Sequence, residues 1–210
     1  MVHIRADELE PCFKILARVK HIQTQITSQW SVLATLTPSE YLQFRDVLGK
    51  ASGFQSPQYR LVEYILGNKD AQMLKVHAHD PVWHSRLKGT LGAPDIYDCF
   101  LAHLARRGHE IPKDILERDC TLPRENDPRL LAVFERIYRN VKEHWDAYEM
   151  CEKLLDIDEQ FALWRFRHLK VVQRIIGMKM GTGGSSGVPF LRKLIDHVFF
   201  PELWEVRTAL

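Results

Sequence analysis

The sequence predicts an all-α protein, a bundle of long helices that forms a single domain over residues 1–210. Apolar residues recur every three or four positions almost throughout the chain, which is the period of a helix packed on one side. Residues that favour helix starts and ends stand at the limits of these patterns. Strand signals are weak, and the one extended candidate, Val188–Phe190, is short. These observations together favour a helical bundle.

The first two helices are predicted from periodicity and from capping residues. An apolar helical pattern runs over Phe13–Trp30. In the stretch "TLTPSEYLQFRDVLG", Thr37 is placed to cap a second helix, and Pro38 suits its first position. Glu40 completes a capping box with Thr37. Gly49 then predicts the end of this helix.

The remaining helices follow in the same way. The stretch "SPQYRLVEYILGNKD" predicts a third helix that ends at Gly67, and a short helical segment is expected within residues 78–94. The stretch "IYDCFLAHLARRG" predicts a fourth helix. A very long helical tract begins at "RLLAVFERIY" and runs to "VVQRIIG". We expect it to break near Leu155–Glu159, because "DIDEQ" resembles a new helix start.

Composition excludes several classes of function. Apolar residues make up 45% and charged residues 27% of the chain, which are ordinary values for a globular protein. The net charge of +2 gives no strong field for nucleic acid or an anionic membrane. No apolar run is long enough to cross a bilayer, and no two of the four cysteines form a C-x-x-C pair. We therefore expect a cytoplasmic protein with reduced cysteines that binds neither nucleic acid nor membrane.

The glycine-rich stretch "KMGTGGSSGV", residues 179–188, invites comparison with phosphate-binding loops. It has neither the spacing nor the lysine of a Walker loop, and it fails the last position of the dinucleotide fingerprint. Both of those folds also need a parallel sheet. Two interpretations remain: a flexible turn after a helix, or a mobile flap whose backbone amides and Thr182 hydroxyl close on a polar ligand.

A histidine lies on the apolar face of the helix before this loop. Phe161, Trp164, His168, Val172 and Ile175 are three or four residues apart and share that face. A buried histidine there is either satisfied by a backbone carbonyl or serves as a proximal ligand to haem iron. The second role suits a neutral imidazole in an apolar wall.

A second pairing is predicted on the capped helix. Tyr41 and Arg45 are four residues apart and therefore project together. An arginine fork beside a phenol is well shaped for a ligand carboxylate, although a surface arginine stacked on tyrosine is the simpler alternative. Ser52 and Arg60 follow shortly after.

The stretch "HAHD", with His77, His79 and Asp80, has His84 nearby and could suggest a metal cluster. It lacks the fuller ligand spacing of metal-dependent hydrolases. We also expect it to lie in a surface loop. A structural role is therefore the favoured interpretation.

Two long motifs carry a family resemblance. The stretches "SEYLQFRDVLGKASGFQSPQYRLVEYILGNK" and "WRFRHLKVVQRIIGMKMGTGGSSGVPFLRK" resemble tryptophan 2,3-dioxygenases of the bacterial type, and the likeness extends over essentially the whole chain. The resemblance implies that His168 is the proximal axial ligand of haem b and that Arg45 and Tyr41 hold the substrate carboxylate. It implies that Thr182 binds the amino-acid end of the substrate as the loop closes. It also places Ser52, Trp164 and Arg60 against the haem, with Arg60 near a propionate.

The resemblance also implies a reaction and an assembly. Ferrous haem would bind O2, and both oxygen atoms would be inserted across the indole C2–C3 bond of L-tryptophan to give N-formylkynurenine. The haem would supply the oxygen chemistry, and the protein would orient the substrate and exclude water. Family members are expected to be homotetramers. A haem protein acting on another indole compound is a related alternative.

One departure from the family pattern bears on these expectations. The family carries an N-terminal segment with a "FIIQH"-like motif that supplies a distal histidine and an aromatic residue, and the sequence shows no counterpart. His3 and His21 stand in the wrong context to replace it. The alternative expectation is therefore a truncated, haem-poor and non-catalytic helical module that serves ligand binding or assembly.

Overall fold

The structure, a computed structural model, describes all residues 1–210. It consists of helices and connecting loops without a strand, so the all-α prediction is confirmed. No helix is long and apolar enough to cross a membrane. The α-helices are α1 Val2–Arg5, α2 Leu9–Leu33, α3 Pro38–Phe44, α4 Pro57–Leu66, α5 Met73–Val76, α6 Pro81–Leu91, α7 Ile96–Arg106, α8 Lys113–Leu116, α9 Arg129–Arg139, α10 Trp145–Ile176, α11 Val188–Lys193 and α12 Pro201–Ala209, and two 3-10 turns cover Arg45–Leu48 and Gly53–Gln55.

The chain groups into two compact units. Unit 1 comprises Met1–Leu16, Ser56–Leu155 and Phe199–Leu210, and unit 2 comprises Ala17–Gln55 and Asp156–Val198. The long helices α2 and α10 each contribute to both units. The single domain expected from the sequence stays a prediction.

Unit 1 is built around buried aromatic residues. The ring of Tyr97 lies 5.2 Å from that of Phe200 and 6.2 Å from that of Phe134. All three side chains are almost completely buried. The Tyr97 hydroxyl donates a hydrogen bond of 3.2 Å to Glu202, so its one polar atom is satisfied inside the core. Burial of this size is the main source of stability in such a unit.

A buried lysine holds the end of α6 in unit 1. Lys69 is 1% exposed, and its Nζ donates to the carbonyl oxygens of Thr90, Leu91 and Ala93 at 2.8, 3.0 and 2.8 Å. These carbonyls stand at the end of a helix, where they lack partners within the helix. The ammonium therefore acts as a C-terminal cap, and its charge suits the negative end of the helix dipole.

Replacement of Lys69 by methionine is expected to lower the free energy of unfolding by about 3 kcal/mol, because the carbonyls of Thr90, Leu91 and Ala93 lose a charged donor and only that of Thr90 keeps another, the Ala93 amide. Urea denaturation followed by circular dichroism measures this change. Lys88→Met is the matched control, since Lys88 lies on the same α6 but is exposed to solvent. Equal stability of Lys69→Met and Lys88→Met would show that the cap contributes nothing.

Helix limits in the structure follow the predicted caps. Thr37 and Glu40 form the capping box of α3, and the 3-10 turn that continues this helix ends at Gly49, whose φ is 54°. Helix α4 ends at Gly67, whose φ of 104° is a conformation that favours glycine. The helix expected between residues 78 and 94 is α6, capped by Asp80.

The predicted break near Leu155–Glu159 is wrong, because α10 continues through it. In unit 2, Asp156 accepts from Lys20 at 2.5 Å, and the Ile157 carbonyl accepts from Gln23 at 3.2 Å. These contacts with α2 keep an acidic stretch helical. The break lies earlier, after Asn140, whose side chain donates to the Arg136 carbonyl at 2.9 Å as α9 ends.

The extended segment predicted at Val188–Phe190 is also wrong, because these residues begin α11. Gly187 precedes the helix with a φ of 65°, and Pro189 occupies the first turn. Proline is well accommodated there, since the first amide groups of a helix have no partner within it.

Candidate functional site

The imidazole of His168 packs against two tryptophan side chains in unit 2. The Trp30 ring stacks on it with centroids 4.7 Å apart and an interplanar angle of 16°. The Trp164 ring lies 5.2 Å away at 52°, and the two indoles contact each other at 5.6 Å. Helix α10 supplies His168 and Trp164 one turn apart, and α2 supplies Trp30. The three rings form one cluster in which Trp30 covers one face of the imidazole, and this packing restricts the plane of the ring.

The chemistry of this pocket fits an axial ligand to a metal-centred cofactor. Burial lowers the pKa of His168 to about 4, so the imidazole is neutral at pH 7 and has a free lone pair. No hydrogen bond engages either of its ring nitrogens. Stacking on the ring faces leaves the direction in the ring plane, along which a metal binds, available. The Nε1 of Trp30 is buried without an acceptor, so a ligand can satisfy it.

A second group of polar and aromatic side chains lies at the end of α3. The guanidinium carbon of Arg45 is 5.9 Å from the Tyr41 ring centroid, so the two side chains project together as predicted. The Tyr41 and Phe44 rings meet edge to face at 5.3 Å. Phe44 keeps 39% of its surface exposed beside this charged group. A cationic fork next to exposed aromatic surface can bind a ligand that is part carboxylate and part apolar.

The glycine-rich loop closes on this segment within unit 2. The Arg45 Nη2 donates to the Met180 carbonyl at 2.7 Å, and the Thr182 hydroxyl donates to the Ala51 carbonyl at 2.6 Å. Gly183 packs so closely on Ser52 that a Cβ at position 183 would lie 2.6 Å from the Ser52 hydroxyl oxygen. The glycine-rich loop therefore contacts the preceding segment at three residues: Arg45, Ala51 and Ser52.

Tight turns shape the loop itself. The amide of Gly181 donates to the Ser185 carbonyl at 3.1 Å, and the amide of Gly184 donates to the Gly181 carbonyl at 3.0 Å. Gly184 has a φ of 81°, which disfavours a side chain. The composition of the loop thus allows it to fold against Arg45, Ala51 and Ser52, and its movement as a lid stays a prediction.

Comparison with known proteins places this arrangement in a family. The family model for tryptophan 2,3-dioxygenase matches two overlapping stretches, residues 2–135 and 129–210. The chain belongs to the tryptophan 2,3-dioxygenase family.

Individual members of the tryptophan 2,3-dioxygenase family are similar over nearly the whole chain. The tryptophan 2,3-dioxygenase of Myxococcus xanthus is 59% identical over 99% of this chain and 72% of its own length. That of Saccharopolyspora erythraea is 57% identical over 99% of the chain and 74% of its own length. That of Xanthomonas campestris pv. campestris is 54% identical over all of the chain and 70% of its own length. The family resemblance drawn from the two sequence motifs is confirmed.

The structure brings together most of the residues that the resemblance singles out, in two groups of unit 2. Tyr41, Arg45 and Ser52 form the first group together with Thr182, which the glycine-rich loop brings to them. His168 and Trp164 form the second, with their rings in contact. Arg60 belongs to unit 1, where it is 6% exposed and its guanidinium is ion-paired with Glu63.

Trp30 and Met180 are site residues that the sequence did not single out. Trp30 ends an apolar pattern that predicts only a core helix, and its stacking on His168 depends on how α2 and α10 pack. Met180 contributes through its backbone carbonyl, which carries no sequence signal. No residue pattern could have predicted either contact.

The "HAHD" stretch has a structural role. His77 is 2% exposed, so the expected surface loop is wrong at this position. The Asp80 carboxylate accepts from the amides of Val82 and Trp83, both at 3.1 Å, and caps α6. No group of histidine, cysteine or acidic side chains in the chain has a geometry that could hold a metal ion.

Substitution of Gly183 by alanine is expected to displace the lid from Ser52 and to raise the KM for L-tryptophan about tenfold. Inserting a methyl group into a packed contact typically costs about 1–3 kcal/mol, and a tenfold change lies in that range. The backbone of Gly183 does not have a positive φ, so only the lack of space excludes a methyl group. Steady-state kinetics measures the effect. Gly53→Ala is the matched control, because a Cβ there meets no atom within 4 Å.

A double variant makes this test specific. In Gly183→Ala/Ser52→Gly the opposing side chain is removed, and KM is expected to return towards that of the Ser52→Gly single variant. Unchanged KM in Gly183→Ala, or no recovery in the double variant, would contradict a lid that closes on Ser52.

Proposed function

We propose that the chain catalyses the insertion of both atoms of O2 across the indole C2–C3 bond of L-tryptophan, giving N-formylkynurenine, with haem b as its cofactor. The identity of 54–59% to tryptophan 2,3-dioxygenases supports the activity. The single observation that supports the cofactor is the neutral imidazole of His168, which stacks on Trp30 and makes no hydrogen bond. The reaction needs no external reductant, since both oxygen atoms end in the product.

The proposed roles divide between the two groups of residues. His168 would hold the haem iron, and Trp30 and Trp164 restrict the plane of its ring. Trp164 and Ser52 would line the haem, and the family resemblance assigns Arg60 to a propionate. When bound, the haem supplies the oxygen chemistry.

Substrate binding uses Tyr41, Arg45 and Thr182 of the first group. The Arg45 fork pairs with the carboxylate of L-tryptophan in two parallel hydrogen bonds, and Tyr41 contributes a phenol beside it. Thr182 binds the amino-acid end, exchanging the Ala51 carbonyl for the ligand. Closing of the lid over both ends excludes water from the reacting indole.

A turnover assay with isotopic oxygen tests this proposal. Purified protein loaded with haem and reduced is given L-tryptophan under ¹⁸O2, and the product is analysed by mass spectrometry. N-formylkynurenine carrying two ¹⁸O atoms is the expected result. Turnover of indole or tryptamine at a rate equal to that of L-tryptophan would instead favour another indole compound as substrate.

Homotetrameric assembly, which the resemblance implies, and a cytoplasmic location, which the composition and cysteine pattern predict, stay predictions. Apolar side chains on the outer face of α2 support self-association, since Ile22 and Ile26 are 53% and 52% exposed. Light scattering coupled to size-exclusion chromatography gives the assembly state directly.

A further inference from the structure

A polar cavity of about 350 Å³ lies in unit 1. Its wall consists of the end of α7 with the turn that follows it, and the start of α10. His103, Arg107 and His109 line one side, and Lys142 and His144 line the other. None of these residues belongs to the substrate and haem groups of unit 2. The cavity is therefore a candidate site of its own.

An aspartate–histidine pair orients one wall of the cavity. Asp7 is the one residue other than glycine with a positive φ, 60°, and its carboxylate accepts from the His103 Nδ1 at 2.8 Å and from the Arg106 Nη2 at 2.7 Å. The hydrogen bonds from Arg106 and His103 lower the pKa of Asp7 to about 2. His103 is only 4% exposed, and with Nδ1 engaged its Nε2 is the nitrogen that can serve a ligand. Backbone strain of this kind persists where the surroundings impose it.

Two further imidazoles meet at the cavity. The rings of His109 and His144 lie 4.9 Å apart at 60°. The Nε2 of His144 is buried without a hydrogen-bond partner, which is uncommon in folded proteins. Burial, followed by the electrostatic effect of its neighbours, lowers the pKa of His109. The cavity therefore brings the imidazoles of His103, His109 and His144 together.

Backbone and side-chain donors converge from the other wall. The first amide of α10 that is bonded within the helix is that of Tyr148, to the His144 carbonyl at 2.9 Å. The preceding amides of this 32-residue helix have no partner within it, and the helix dipole is positive there. The exposed side chains of Arg107 and Lys142 have no ion-pair partner. Such donors match an oxyanion.

The cavity rim narrows the choice of oxyanion. Glu143 and Asp146 also line it, so a ligand that can donate a proton to a carboxylate is favoured over a fully ionised one. Inorganic phosphate keeps a P–OH group at neutral pH, and a phosphate monoester carries one in the monoanionic fraction that its second pKa of about 6 leaves near that pH. The three imidazoles do not have a metal-binding geometry.

We propose that this cavity binds a phosphate group, through the Nε2 atoms of His103 and His144, the amides that begin α10, and Arg107 and Lys142 at the rim. The ligand is either inorganic phosphate or a phosphate monoester. Both share the chemistry that the cavity recognises, and the open rim beside the exposed Trp145 leaves space for an ester substituent.

Isothermal titration calorimetry with inorganic phosphate and with glycerol phosphate, at constant ionic strength, tests this proposal. Saturable binding of one equivalent is expected. Arg107→Gln is expected to weaken phosphate binding about tenfold, because the loss of one hydrogen bond to a charged group typically has an effect of this size. Because Arg107 is exposed, this variant should fold normally. Lys88→Gln, which removes an exposed lysine of α6 outside the cavity, is expected to leave binding unchanged.

The two ligands distinguish the source of the phosphate group. Tighter binding of glycerol phosphate supports a monoester, and tighter binding of inorganic phosphate supports the free ion. Histidine ¹H–¹⁵N spectra should show shifts of the His103 and His144 side-chain signals at saturation. Absence of saturable binding by both ligands, equal weakening in Lys88→Gln, or succinate binding as tightly as phosphate would overturn the proposal.

Discussion

Replacement of His168 by alanine is expected to weaken haem binding by more than about 100-fold and to abolish the sharp Soret band of the reconstituted protein. Loss of hydrogen-bonding partners behind a metal ligand already costs 10- to 100-fold in affinity as a rule, and loss of the ligand itself costs more. The neutral imidazole that packs against Trp30 and Trp164 is the group that the substitution removes. Hemin titration followed by absorption spectroscopy measures the effect.

Two controls make the His168 experiment decisive. His21→Ala removes an exposed histidine of the same unit and should leave the Soret band and the hemin affinity unchanged. Free imidazole added to His168→Ala should restore part of the band, because it can enter the space that the side chain leaves beside the two indoles. Identical spectra and affinities of His168→Ala and the unsubstituted protein would rule out His168 as the axial ligand.

Replacement of Arg45 by leucine is expected to lower kcat/KM for L-tryptophan by about 10²- to 10³-fold. Removing one partner of a charged, hydrogen-bonded pair costs about 2–5 kcal/mol. The substrate carboxylate would lose its counter-ion, and the lid would lose the hydrogen bond from Arg45 to the Met180 carbonyl. Steady-state kinetics with L-tryptophan measures the sum of both losses.

Tryptamine, which lacks the carboxylate, separates these two contributions. The change in kcat/KM for tryptamine that Arg45→Leu causes reports the lid contact alone. We expect this change to be much smaller than the change in kcat/KM for L-tryptophan. Arg45→Lys keeps the charge but loses the two-pronged geometry, so its effect should lie between the two. Equal losses for both substrates would show that Arg45 acts on the lid and not on the carboxylate.

The two long motifs were sufficient to predict the family, because they place many particular residues in a fixed order, which no single helix or loop requires. The proposed substrate residues Tyr41 and Arg45 could also be paired from sequence, since residues four apart on a helix lie side by side. The residues that the glycine-rich loop contacts could not be predicted from the sequence. Arg45 and Met180 are 135 residues apart, and Thr182 and Ala51 are 131 apart.

Errors in the sequence prediction arose where tertiary contacts outweighed local preference. The acidic residues near Leu155–Glu159 resemble a helix start, yet Lys20 and Gln23 bind them and α10 continues. His77 stands in a polar stretch and is nevertheless buried. The Asp7–His103 pair joins residues 96 positions apart and had no sequence signal.

The sequence by itself determined the all-α class, most helix limits and the family. Capping boxes, terminal glycines and apolar periodicity act within a few residues, so their outcome can be read along the chain. Only the tertiary structure decided that Trp30 stacks on His168, that the lid rests on Ser52 and that a polar cavity opens beside His103. These contacts depend on how distant segments pack, because the side chains that form them have no influence on one another until the helices meet.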